Sequence, residues 1–387
     1  MILGIDASNI RGGGGVTHLT EMLCAAEPQE HGFDQVVVWA PPPTLAAIAD
    51  PPWLTKLTHP WLSGPLPWRT AWQRFKLRSE IRKANCTITF VPGGSYSPGL
   101  GPVVTMSQNL LPFDWREIRR FGISVFFFKM LALRWTQSKA FRGADGVIFL
   151  TECAKAAVIK QLRRHPKRAM VIPHGVDQRF RLAPRTQKSV DECSPQEPFS
   201  LLYVSHIWPY KHPWTVARAV AILRSEGMPV RLDIVGGGYP PSMRILQETI
   251  RQLDPAGEFL SYSTDAPHDQ VSAYYHQADL FVFASSCETF GQVLTEAMSA
   301  GLPIVSSDRA AMPEVLGDAG RYFDPEDLPS LVAALREVIE SPELRADMAA
   351  RAYRRATEYS WKRCAKDTFS FIAQVARDSE PVQEGMA

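Results

Sequence analysis

Short apolar runs bounded by turn residues alternate with amphipathic stretches along the chain, and the alternation occurs twice. A short run that is apolar throughout suits a strand buried on both faces. An amphipathic stretch between two such runs suits a crossover helix, so the pattern predicts α/β units with parallel sheets. In the first half, strands are expected at 2–5, 35–39, 87–91, 103–106, 146–150 and 170–173, with helices such as 16–26, 70–83 and 152–162 between them. In the second half, strands are expected at 201–205, 231–235, 280–284 and 303–306. The charge-rich stretch 181–198, RLAPRTQKSVDECSPQEP, separates the halves and reads as a linker. The expectation is two doubly wound, Rossmann-like domains with a cleft between them. Residues 1–180 would form the first and 199–365 the second, with a helix and tail over 366–387 returning to the first.

Composition narrows the class. The chain has 387 residues, 45% hydrophobic and 21% charged, which is enough apolar material for two cores and excludes disorder, collagen and coiled coil. Its 42 basic residues against 40 acidic ones give a net charge of +2, not the basic excess of a nucleic-acid binder, so no nucleic-acid partner is expected. The six cysteines are scattered, with no C-x-x-C pair and no zinc-type spacing, and read as reduced thiols. The start MILGIDAS has no secretory pattern, and the apolar tract 123–133 is too short to span a bilayer and contains Lys129. A cytoplasmic protein is expected. No D-x-D and no His/Asp cluster with ligand spacing occurs, so neither a metal nor a cofactor is expected.

The strongest local signal is 280–299, LFVFASSCETFGQVLTEAMS, which reads as a buried strand, a loop and a helix opening near Phe290. The unpaired amides of Phe290, Gly291 and Gln292 would favour an anion such as a diphosphate. Glu288 in the loop and Glu296 in the helix could accept hydrogen bonds from sugar hydroxyls; two solvated glutamates are the competing reading. A glycine run, 12–15, follows the first strand, and another, 236–238, follows the strand at 231–235. Either could admit a ligand close to the backbone or simply be a turn.

With E-x7-E after a strand, its second glutamate opening E-A-M-S-x-G-x-P-I-V, the chain resembles the family-4 retaining glycosyltransferases (glycosyl transferases group 1) of the GT-B fold. Other matches are VIPHGVDQRF at 171–180, SHIWPYKH at 205–212, DIVGGG at 233–238 and Ala278-Asp279. The resemblance is dense in the second half and thin in the first. It implies that Glu288 contacts hydroxyls of the transferred sugar and that Glu296 holds the ribose. Amides of Phe290 and Gly291 would meet the diphosphate. Gly13, Gly14 and Gly15 would sit against donor and acceptor, with Gly237 on the nucleotide side. Of the basic pair that clamps the diphosphate, Lys211 matches the second member. His206 stands where Arg is usual, an imidazole in place of a permanent cation. The histidine common after the strand at 103–106 is replaced by Ser107-Gln108-Asn109; Asn109 is the expected sugar contact, and a turn-capping role competes with it.

The implied activity is retaining, metal-independent transfer of a sugar from a nucleotide diphosphate donor to a saccharide or lipid-linked saccharide acceptor, in bacterial surface polysaccharide synthesis. Glu288, Lys211 and His206 would be the catalytic set. Two rivals remain: an inert sugar-nucleotide-binding protein, and a dinucleotide-dependent oxidoreductase, which would need a G-x-G-x-x-G that this chain lacks. Basic, aromatic stretches at 68–83 and 114–142, with Lys160, Arg163, Arg164, Lys167 and Arg168 beyond, suit either a solvated face or peripheral contact with an anionic membrane surface.

Overall fold

Runs of consecutive apolar residues become strands buried on both faces, and turn residues end them. The computed structural model describes residues 1–162, 164–264 and 270–379; Arg163 and the tail 380–387 lie outside the described residues. The first sheet comprises β1 (Ile2–Asp6), β2 (Gln35–Trp39), β3 (Leu54–Leu57), β4 (Ile88–Val91), β5 (Val103–Met106), β6 (Gly146–Phe149) and β7 (Ala169–Val171). The second comprises β8 (Phe199–Val204), β9 (Val230–Val235), β10 (Leu260–Ser263), β11 (Leu280–Phe283), β12 (Ile304–Ser307) and β13 (Arg321–Phe323). Every pairing is parallel, in the orders β3-β2-β1-β4-β5-β6-β7 and β10-β9-β8-β11-β12-β13. Each sheet winds one way and then the other. The reversal falls between β1 and β4 in the first sheet and between β8 and β11 in the second. Connections leave in opposite directions there, opening a crevice outside the carboxyl ends where ligands of such sheets bind.

Three strands were not expected from the sequence: β3, β10 and β13. All three are edge strands. An edge strand has one neighbour and needs no apolar run, and LTKL, LSYS and RYF are largely half-buried or exposed. The helix expected over 70–83 is two, Leu66–Phe75 and Leu77–Lys83, separated at Lys76.

The chain divides into two compact units, Met1–Phe113 with Phe128–Gly175 and the residues from Ser360 on, and Asp114–Phe127 with Val176–Tyr359. Two features of this division differ from the sequence expectation. Residues 181–198 are not a free linker but part of the second unit. Arg345 is fully buried there. Its guanidinium donates to the Val338 carbonyl at 3.0 Å and to Gln187 Oε1 at 3.2 Å, and also to the carbonyls of Ile339 and Lys188. A buried cation must find acceptors, and the polar stretch supplies two of them. The second departure is Asp114–Phe127, which leaves the first half of the chain and packs in the second unit. Asp114 caps the helix Trp115–Arg119, Arg116 and Arg120 pair with Glu326, and Phe121 and Phe126 lie against Trp208 and Tyr239.

In the first unit the helix Trp361–Ser379 packs under β6, where Gly146 makes room: a Cβ there would lie 2.9 Å from the Phe371 ring. Phe369 of the same helix meets Phe33 edge-on at 6.0 Å.

Candidate active site

Because β8 and β11 are neighbours, with Leu201 opposite Leu280, the loops that follow them lie side by side. The loop after β8 carries His206, a short 3₁₀ turn Pro209–Lys211, and His212 in the left-handed region at φ 50°. The loop after β11 carries Glu288 and ends at Gly291. Two hydrogen bonds join them: the Ser286 amide donates to the Tyr210 carbonyl at 2.8 Å, and the His212 ring meets Ser286 Oγ at 3.1 Å. Tyr203, within apolar β8, donates its hydroxyl to the Lys211 carbonyl at 2.5 Å. Lys211 is buried, its ammonium 5.2 Å from the Phe283 ring centroid, and it forms an ion pair with Glu288. Both residues thus meet at the point where the second sheet reverses.

Gly291 closes the loop at φ 82°, a backbone conformation that favours glycine, and a Cβ there would lie 2.6 Å from the Met312 methyl, which would have to shift. The helix then runs Gln292–Ser299, starting two residues later than expected, and among the described residues no side chain caps it. The Leu294 amide donates to the Gly291 carbonyl at 2.8 Å, and the Gln292 and Val293 amides are left to an anion, with the dipole in their favour. Phe290 is buried against Tyr359, ring centroids 5.3 Å apart, so its side chain anchors the turn.

Glu296 lies inside this helix and is buried, accepting a 2.9 Å bond from the Tyr275 hydroxyl. Burial raises its pKa from the ordinary 4.5 to about 7, against the opposing effects of the Tyr275 bond and nearby Arg179. Phe180, in the VIPHGVDQRF segment, meets Tyr275 edge-on at 5.4 Å, so that segment backs the Glu296–Tyr275 pair.

The remaining expected residues are distributed as follows. His206 is exposed, and its ring makes no hydrogen bond among the described residues. Gly237 lies in a loop tied to the end of β8 by the Ile207 amide, which donates to the Gly237 carbonyl at 2.9 Å. Its neighbour Gly236, at φ 130°, would place a Cβ 2.2 Å from the Ser205 carbonyl oxygen. The glycines there let two strand-end loops touch. In the first unit, Gly13 precedes the helix Gly14–Cys24 with φ 59°, and Gly15 lies within that helix. Asn109 accepts from the Leu111 amide at 3.0 Å, which is a turn cap. His174 stacks on fully buried His18 at 4.6 Å, and burial lowers the His18 pKa to about 4, so that ring is neutral.

Sequence reasoning missed Tyr203, Tyr275 and Tyr359. A buried or half-buried tyrosine must find an acceptor for its hydroxyl, but the spacing of a single sequence does not say which. Among the described residues, no helix is long and apolar enough to cross a membrane, and no three His, Cys, Asp or Glu side chains gather as a metal site.

Two family profiles match the chain: Glycosyl transferases group 1 over residues 184–355 and Glycosyltransferase Family 4 over residues 12–180. The chain belongs to the group 1 glycosyltransferases of GT-B fold. One sequence relative is the O-antigen chain mannosyltransferase B of Escherichia coli, 29% identical over 170 residues, 44% of each chain. The chain spans about half the length of its named sequence relatives. Among solved structures, sucrose-phosphate synthase of Thermosynechococcus elongatus superposes with a TM-score of 0.75 at 16% identity, over 98% of this chain and 100% of that one. Anabaena HepE in complex with UDP-glucose superposes with a TM-score of 0.68 at 18% identity, over 98% and 99%. These likenesses show the GT-B fold.

Glu296 should carry a stability cost that depends on pH. Below pH 4.5 it is protonated in folded and unfolded chains alike; between 4.5 and 7 the unfolded chain loses the proton first, so stability falls with rising pH and levels above 7. Glu296→Gln removes the ionisable group while keeping the shape. Its Tm should exceed wild type by about 5 °C at pH 8, and the difference should vanish below pH 4.5. A scan showing no gain at pH 8 contradicts the raised pKa.

Proposed function

We propose that this chain transfers a glycosyl group from a nucleotide diphosphate sugar to a hydroxyl of a saccharide or lipid-linked saccharide. In this reading the anomeric configuration is retained, no divalent ion is needed, and the product is a bacterial surface polysaccharide. The observation that carries the proposal is the Lys211–Glu288 pair at the sheet reversal, beside an uncapped helix start and one helical stretch from buried Glu296. The donor diphosphate would take the helix amides and Lys211, releasing Glu288 to the sugar hydroxyls, and Glu296 would accept from the ribose. As the sugar leaves, negative charge collects on the diphosphate, where a fixed cation and oriented amides stabilise it more than in the ground state. His206 would take the place of the other member of the clamp. Acceptor binding falls to the first unit, with Gly13, Gly14, Gly15 and Asn109 beside it.

Group membership supports transfer, the name of the Escherichia coli relative supports polysaccharide assembly, and the HepE complex supports a uridine nucleotide among donors. Retention rests on the E-x7-E resemblance. An inert sugar-nucleotide-binding protein would also hold a donor, but it would not release the nucleoside diphosphate. Mixing the protein with UDP- and GDP-sugars in excess EDTA should release nucleoside diphosphate. Lys211→Ala should lower kcat about 100-fold with a smaller effect on KM. Release abolished by EDTA contradicts the metal-free reading, and an unchanged kcat removes Lys211 from catalysis.

A second part of the proposal is peripheral contact with an anionic membrane through the first unit, where Trp68, Phe75 and Trp135 are 51%, 68% and 64% exposed among Arg69, Arg74, Arg134 and Lys139. Co-sedimentation with phosphatidylglycerol vesicles should be strong at 0.1 M salt and fall toward 1 M as the Debye length contracts from ~10 Å to ~3 Å. Phe75→Ser with Trp135→Ser should weaken it. No sedimentation at low salt removes this part.

A further inference from the structure

The first sheet reverses between β1 and β4, and the crevice there holds a second set of polar side chains that the donor chemistry does not use. Asp6, the last residue of β1, is buried and accepts at both oxygens, from the Ser8 amide at 3.1 Å and from Gln73 Nε2 at 2.6 Å. Gln73 in turn accepts from Asn9 Nδ2 at 3.1 Å, and Asn9 Oδ1 accepts from Arg69 at 3.1 Å. A carboxyl that accepts at both oxygens fixes the sense of every link. Gln73 must turn its NH₂ toward Asp6 and its carbonyl toward Asn9, and the Asn9 carbonyl must then face Arg69. The chain of bonds holds one edge of the Arg69 guanidinium and leaves the rest directed elsewhere; Arg69 Nε is buried and has no hydrogen-bond partner.

A second guanidinium shares this place. Arg11, two residues after Asn9 and directly before the glycine run, donates to the Gly64 carbonyl at 3.2 Å, just ahead of the helix that carries Arg69. The Arg69 pKa is lowered, first by burial and then by Arg11. Among the described residues neither arginine has a carboxylate partner. On the β4 side the wall is open: a Cβ on Gly93 would only just touch Asn9, at 3.9 Å. Two like charges brought together, one of them oriented from behind and partly desolvated, carry a standing repulsion that a bound anion relieves.

We propose that Arg11 and Arg69 form an oxyanion subsite of the first unit that recognises a phosphate or carboxylate on the saccharide acceptor, with Asn9, Gln73 and Asp6 as positioning residues. The inference rests on the transfer reading above and narrows its acceptor to acidic saccharides. The planar fork of each arginine matches two oxygens of such a group, and Gly12–Gly15 adds no side chain that would fill the approach.

The full chain can be titrated, at constant ionic strength, with glucose, glucose 1-phosphate, glucuronate and UDP. The acidic sugars should bind about 10-fold or more tightly than glucose, and comparing glucose 1-phosphate with glucuronate tells phosphate from carboxylate. Arg11→Gln and Arg69→Gln should each abolish most of that preference while leaving UDP affinity unchanged. Arg69→Lys, which keeps charge but not the fork, should recover part of it. Equal or absent binding of acidic and neutral sugars overturns the subsite, as does a preference that survives both Gln substitutions. If the substitutions weaken UDP as well, the arginines serve the nucleotide and the acceptor assignment fails. Intact UDP binding and nucleoside diphosphate release alongside a failed subsite would leave the transfer reading standing.

Discussion

Lys211 and Glu288 come from loops 77 residues apart in sequence and pair beside a sheet reversal. The surroundings hold that pair in place. Tyr203 fixes the lysine backbone, Ser286 ties the two loops together, and Gly291 turns the second loop into a helix whose first amides are uncapped. A buried ion pair is weak evidence for stability, because two charges lose water to form it. In the proposed transfer reading the pair would act as storage, each partner holding the other near the position it would take against a diphosphate and a sugar. Glu296 follows the same logic, a carboxylate kept in a buried helix at a cost to stability above neutral pH.

How much of this was legible in the sequence follows from where the physics is local. Central strands such as β1, β8 and β11 are apolar runs because both faces are covered, and a run is visible without partners. Glu288, Gly291 and Glu296 lie within nine residues, so a strand, a turn and a helix place them together. Lys211 could be named from the motif it resembles, but its pairing with Glu288 depends on β8 and β11 being neighbours, which no local spacing encodes.

The parts that were not legible depend on long-range polar partners. Residues 181–198 looked like a linker because they are charge-rich, yet buried Arg345 draws acceptors from them. Asp114–Phe127 looked like part of the first domain, but Glu326, Trp208 and Tyr239 hold it in the second unit. The Asp6–Gln73–Asn9–Arg69 chain joins residues from two segments 60 or more positions apart, which meet only because the helix Leu66–Phe75 packs beside the end of β1.

If the ion pair is a placeholder that the donor displaces, then removing the carboxylate should make the lysine available in advance. Calorimetric titration of wild type and Glu288→Gln with UDP and GDP tests this most directly, because a nucleoside diphosphate has its ribose but lacks the transferred sugar that Glu288 would contact. The nucleotide that wild type binds should bind Glu288→Gln about 10-fold more tightly, while sugar transfer by the variant falls. Weaker or unchanged nucleotide binding in a folded Glu288→Gln protein would mean that the pair does not stand in for the substrate.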